Sequence, residues 1–192
     1  MTRLWWVRHG PTHEKAMTGW RDVPADLSDT AALQRLNAHL PAHALVTSSD
    51  LIRATATADA LSTTRTRLPP DPGLREIHFG AWDGRHCSDI AATDPALSRA
   101  FWEDPGPHRA PGGESWEDAA ARATARADRL AATHQGHDII IVAHFGIILT
   151  QLARATGQTP HQTLAQAIAP LSVTCLAHDA GHWQALSINH LP

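Results

Sequence analysis

Short apolar runs separated by polar, turn-forming segments set the rhythm of this chain. Leu4-Trp5-Trp6-Val7, Ala44-Leu45-Val46 and Ile139-Ile140-Ile141-Val142 are continuously apolar and partly β-branched, the pattern of strands buried on both faces of a mainly parallel sheet. Between them the period lengthens to that of helices. Ser28 is placed to cap a helix through Ala31, Leu33, Leu36 and Leu40 that Pro41 stops. Thr47-Ser48-Ser49-Asp50 leads out of the second strand into a helix carrying Arg53 on its first turn. Ser115 with Asp118 caps an Ala-rich helix to about Ala132, and an apolar helix from about Ile147 to Ala155 closes at Gly157. Val173-Thr174-Cys175-Leu176 and Trp183-Gln184-Ala185-Leu186 flank Asp179-Ala180-Gly181 as a closing hairpin. Pro95, Pro105, Pro107 and Pro111 fall among Phe101 and Trp102, which predicts short helices and a lid-like loop over about residues 84–114.

Composition narrows the picture. With 192 residues and 43% hydrophobic side chains the chain can bury one core, so a single domain over residues 1–192 is expected. A formal charge of -3 argues against a nucleic-acid or anionic-membrane surface and makes any anion site local. Cys87 and Cys175 are too few for a disulfide framework, and the first strand leaves no room for a signal peptide; the expectation is a cytoplasmic, soluble protein. The 14 histidines invite a metal reading, but Pro41, Gly136 and Ala180-Gly181 split the close pairs, so neither metal nor cofactor is expected. Oligomeric state is not legible.

The chemistry gathers at strand ends. Gly10 lets backbone approach a ligand, Pro11 favours a first helical turn, and Arg8 and His9 stand at the carboxyl end of the first strand, where open α/β sheets bind ligands. Arg8-His9-Gly10-Pro11-Thr12 resembles the signature of the histidine phosphatase superfamily, also called phosphoglycerate mutase-like. Ser48-Ser49-Asp50-Leu51-Ile52-Arg53-Ala54-x-x-Thr57-Ala58, Leu74-Arg75-Glu76 with Phe79-Gly80-Ala81-Trp82-Asp83-Gly84, and Ala143-His144-Phe145-Gly146 are similar to its further blocks. Taken alone, each residue has a plainer explanation: a surface Arg, a half-buried His, a solvated helix Arg, a surface Glu. Arg122, Arg126 and Arg129 lie at helical spacing and read as a solvated face.

The resemblance implies an α/β three-layer sandwich, a mainly parallel central sheet with helices on both faces. It implies His9 as nucleophile, Glu76 as proton donor and acceptor, and His144 as second essential histidine, protonated to hold a phosphoryl oxygen. Arg8, Arg53, Thr12 and Phe145 would contact phosphate, with Lys15, Thr18, Gly19 and Trp20 lining the pocket. Lys15 and Phe145 replace residues commoner in the family, Asn and Gly. The expected activity is metal-independent hydrolysis of a small phosphorylated metabolite. Phosphoglycerate mutase-type transfer, a non-catalytic phosphate-binding scaffold and, more weakly, a serine hydrolase on Ser48 or Ser49 are the alternatives. Trp20, Trp82, Trp102 and Trp116 could stack on a planar substrate, α-ribazole 5′-phosphate, a sugar phosphate and a phosphohistidine protein being candidates.

Overall fold

The computed structural model of the chain describes residues 1–179 and 181–192; Ala180, in the turn of the expected hairpin, lies outside them. Strands β1 (Thr2–Arg8), β2 (Leu45–Ser48), β3 (Thr66–Arg67), β4 (Asp138–Ala143), β5 (Val173–Asp179) and β6 (His182–His190) form one sheet in the order β3-β2-β4-β1-β5-β6. The first four run parallel, and β5 and β6 close the sheet with antiparallel pairings. Helices α1 (Thr30–His39), α2 (Ile52–Ala60), α3 (Cys87–Thr93), α4 (Pro95–Glu103), α5 (Trp116–Thr133), α6 (Phe145–Thr156) and α7 (Pro160–Leu164) complete the described helices, beside two 3-10 turns. This is the expected three-layer α/β sandwich.

Alternation along the central strands explains the two helical layers. Leu4 and Trp6 of β1 join Ile139, Ile141 and Ala143 of β4 on one face, packed by Ala119, Ala123 and Ala127 of α5 and Ile148 and Leu152 of α6. Val7, Ile140 and Val142 point the other way, onto Leu36 of α1 and Ala54 and Ala58 of α2. Each fully buried large apolar side chain contributes about 1.5–3 kcal/mol, which is why strands this short hold their register. A third cluster, Met17, Trp82, Ile90, Phe101 and Ala110, fastens α3 and α4 to the loop after β1.

Three local expectations are corrected. No helix follows Pro11; residues 9–29 are irregular, because their backbone bonds run across the loop, Asp26 N to the Pro11 carbonyl and Gly10 N to Thr57 Oγ1. The N-cap of α1 is Asp29, whose carboxylate accepts from Ala32 N, and not Ser28. The helix after β4 also begins earlier, at Phe145, and ends on left-handed Gly157. Among the described residues no helix is long and apolar enough to cross a membrane.

Candidate active site

Strand register creates the site. Arg8 of β1 pairs with Ala143 of β4, so the following residues, His9 and His144, emerge side by side with ring centroids 5.0 Å apart. On the far side of β4, Ser48 ends β2 opposite Val142 and the chain enters α2. Arg53, 1% exposed, turns back from that helix and donates Nε to His144 Nδ1 at 3.2 Å. Its terminal nitrogens donate to the Gly19 carbonyl at 2.6 Å and the Arg21 carbonyl at 3.0 Å, fixing the expected pocket loop. Arg8 donates to the Ile168 carbonyl at 2.7 Å while its buried Nε has no partner.

These bonds assign the imidazole protons. His9 Nδ1 lies 2.7 Å from the Gly10 carbonyl, which can only accept, so Nδ1 carries the hydrogen and Nε2 a lone pair. His144 is the reverse: Nδ1 accepts from Arg53, leaving the proton on Nε2, a buried polar atom without a partner. Burial lowers the His9 pKa to about 3; the Gly10 hydrogen bond opposes this, and Arg53 and Arg8 add to it. Burial, then the charges of His9 and Arg53, hold His144 well below the ordinary histidine value. Both shifts favour the neutral imidazoles, with His144 donating from Nε2. Arg8 and Arg53 are likewise lowered by burial, with the Glu76 charge opposing.

Glu76 reaches the same rim from the segment between 3-10 turns at Pro72–Leu74 and Gly80–Trp82. It is 6% exposed, and Oε1 accepts from Ile77 N at 2.9 Å while Oε2 accepts from Gly146 N at 3.1 Å. A Cβ on Gly146 would stand 2.6 Å from Glu76 Oε1, so only glycine lets α6 approach the carboxylate this closely. The Glu76 carbonyl receives Trp20 Nε1 at 2.7 Å and Arg122 Nη2 at 2.8 Å. Arg122 also donates to the carbonyls of Gly73 and Arg75 and to both oxygens of Glu114. The solvated-face expectation is thus wrong for Arg122, a half-buried clamp on the backbone that presents Glu76. Arg126 pairs with Asp71 at 3.4 Å, and Arg129 is exposed.

The remaining candidates divide. Gly19 and Trp20 are tied to Arg53 and Glu76 as described. Thr18 Oγ1 donates to the Ala16 carbonyl and accepts from Arg21. Thr12 is half-buried, its hydroxyl accepting from Glu14 N at 3.4 Å, whereas Lys15 is exposed and has no described partner. Phe145 lies under the Arg8 guanidinium, 5.5 Å from ring centroid to Cζ. Trp82 is buried and cannot stack on a ligand; Trp102 remains 38% exposed.

Sequence reasoning missed Thr57, which accepts from Gly10 N at 3.0 Å and donates to the Arg53 carbonyl at 2.7 Å. It missed Asp83, which receives Gly19 N and Arg21 N. Both lie within the quoted blocks, but no spacing marked them. Among the described residues no group of three or more His, Cys, Asp or Glu could hold a metal ion. The arrangement offers a phosphate-sized anion two guanidiniums, an unpaired imidazole N–H, a lone-pair imidazole nitrogen and a carboxyl.

The family model of the histidine phosphatase superfamily (branch 1) matches residues 4–191. The chain is 30% identical over 195 residues to the adenosylcobalamin/alpha-ribazole phosphatase of Escherichia coli strain K12, covering 97% of this chain and 90% of that protein. It is 35% identical over 173 residues to the glucosyl-3-phosphoglycerate phosphatase of Mycolicibacterium vanbaalenii, covering 81% of this chain and 74% of the relative. Among solved structures, Bacillus stearothermophilus YhfR superposes with a TM-score of 0.91 at 28% identity, covering 100% of this chain and 98% of its own.

Proposed function

Because the chain belongs to branch 1 of the histidine phosphatase superfamily and is a hydrolase of that type, we propose that it hydrolyses small phosphate monoesters in two steps through a phosphohistidine on His9. The observation that carries this reading is the opposed protonation of two imidazoles 5.0 Å apart, one with a lone pair at Nε2 and one with an unpaired N–H. In the first step His9 Nε2 attacks phosphorus, the ester P–O bond breaks, and the leaving alkoxide takes the proton of the Glu76 carboxyl. In the second, water attacks phosphorus and gives its proton to Glu76 as the P–N bond breaks, returning imidazole and inorganic phosphate. Arg8, Arg53 and His144 Nε2–H stabilise the equatorial oxygens throughout. A bound dianion lends His144 the negative charge that favours a second proton there. Thr12 and the Phe145 N–H are further phosphate contacts in this reading, and residues 84–114 serve as the cover over the leaving group.

Rapid quench with p-nitrophenyl phosphate in the presence of chelator tests the scheme. An acid-labile phosphoryl group should appear on the wild type and be absent from His9→Ala. With this good leaving group Glu76→Gln should accumulate the phosphoenzyme, because activation of water is the step most dependent on the carboxylate. For poor leaving groups Glu76→Gln should lose about two to four powers of ten in kcat. Full turnover by His9→Ala would refute the assignment. Isomerisation of 3-phosphoglycerate in place of phosphate release would move the chain to mutase-type transfer. The name of the Escherichia coli relative supports α-ribazole 5′-phosphate as one physiological candidate; a glucosylated phosphoglycerate, named for the mycobacterial relative, is its rival, and turnover of a carboxylated leaving group decides between them.

A further inference from the structure

We propose that the leaving-group pocket of this chain selects a flat, uncharged, largely apolar group of the aromatic or heteroaromatic class, and discriminates against alcohols that carry a carboxylate. The inference rests on the reading of Glu76 as the group that protonates the leaving oxygen, since whatever is attached to that oxygen must then lie beside it. Beside Glu76 and Gly146 a narrow slot opens, with about 50 Å³ of free space, roughly a third of the about 150 Å³ that encloses a benzene ring, so only a thin group enters, and it does so edge-on. Its walls are Phe101, Trp102, Phe145 and Leu164, with His108 as the one titratable side chain besides Glu76. Neither lysine nor arginine lines it.

Charge placement makes the pocket discriminating. The Arg8 cation lies over the Phe145 ring, and Arg53 is spent on His144 and two loop carbonyls. Neither guanidinium therefore lines the cleft. A carboxylate carried into the cleft would lose its water and meet the Glu76 carboxyl with no facing cation. A flat ring would instead slide its edge between the aromatic walls and rest its face on Trp102, still 38% exposed, the wall with surface left to bury. Phe145 contributes because it stands where glycine would have left that wall open. His108, half-buried and 3.4 Å from Asp104, provides a hydrogen-bonding atom for one polar substituent at the rim.

The test compares esters whose alkoxides are chemically alike: 2-phenylethyl phosphate, ethyl phosphate, O-phosphoserine and 3-phosphoglycerate. Released phosphate is read as kcat/KM with chelator present, and p-nitrophenyl phosphate is the control for hydrolysis itself. The expected order places 2-phenylethyl phosphate at least about tenfold above ethyl phosphate, the return on burying one ring, and about a hundredfold above the two carboxylated esters. Trp102→Ala should shrink the first ratio to about threefold or less. Leu164→Arg, which supplies the missing cation, should move the 3-phosphoglycerate to 2-phenylethyl phosphate ratio upward by about tenfold. A carboxylated ester turned over as well as 2-phenylethyl phosphate by the wild type would overturn the pocket assignment and leave the hydrolase reading standing. Failure to hydrolyse any ester, p-nitrophenyl phosphate included, would overturn both.

Discussion

Replacing Arg122 by Met keeps most of the apolar stem and deletes a guanidinium that makes five hydrogen bonds. Two go to the Glu114 carboxylate at 2.8 Å each, and the others to the carbonyls of Gly73, Arg75 and Glu76 at 3.0, 2.6 and 2.8 Å. Both side chains of the ion pair are only 20% exposed. Stripping one partner from a fully buried pair costs about 3–5 kcal/mol, and partial access of water to Glu114 reduces this to about 2–4 kcal/mol. The Glu76 carbonyl keeps Trp20 as a donor, so Gly73 and Arg75 are the carbonyls left unpaired. For a chain of this size the loss corresponds to a fall in Tm of roughly 5–15 °C. The same bonds hold the segment that presents Glu76, and displacement of a catalytic group by about 1 Å costs on the order of a hundredfold in kcat. Arg8, Arg53 and His9 make no hydrogen bond to Arg122, so the inhibition constant of inorganic phosphate should change little. Urea titration, thermal unfolding and the split between kcat and phosphate affinity measure all three quantities. Arg122→Lys should rescue poorly, because one ammonium cannot span three carbonyls and a carboxylate. An Arg122→Met protein within about 0.5 kcal/mol of the wild type, with kcat intact, would show that the clamp does not do what is argued.

Other outcomes follow from the same geometry. Gly146→Ala brings a Cβ to within 2.6 Å of Glu76 Oε1; kcat for alkyl esters should drop about a hundredfold while phosphate binding persists, and an unaltered kcat would mean that α6 yields freely. Folded His9 titrates at about 3 against an ordinary value of 6.5, so the unfolded chain binds the extra proton between those limits. Its contribution to stability is complete above about pH 6.5 and is lost as pH falls toward about 3, by up to about 1.4 kcal/mol per pH unit. His144 is shifted in the same direction and adds to the slope. Thermal unfolding from pH 7 to pH 4 should show the decline, shallower in His9→Asn; an identical slope in the variant would dismiss burial of this imidazole as its source.

What could be read from the sequence was whatever local pattern determines. The continuous apolar runs at Leu4 and Ile139 announce strands because both faces are covered, and the catalytic candidates announce themselves by following those strands. Arg122 was misread for a physical reason: helical spacing says which residues share a face, and the partners that bury this one, Gly73, Arg75 and Glu114, come from other elements. Thr57 was invisible for a similar reason, since its hydroxyl joins Gly10 to Arg53 across 47 residues of sequence. Asp29 displaced Ser28 as helix cap at a distance of one residue, a margin that propensity alone does not resolve. The protonation of His144 depends on Arg53 standing at Nδ1, a contact that exists only after the sheet has formed.

β1 occupies the middle of the sheet, between β4 and β5, yet its ladder partners begin at Asp138 and Val173. On the ribosome, at roughly 5–20 residues per second, this strand waits about seven to twenty-seven seconds before either neighbour has been made. Throughout that interval Leu4, Trp5, Trp6 and Val7 have no ladder to join, and they are a natural target for holding chaperones. The segment that carries His9 is thus made well before the two strands that seat it. Nascent chains that stop short of β4 carry His9 without His144, so the pair of imidazoles 5.0 Å apart forms only once the sheet closes around β1.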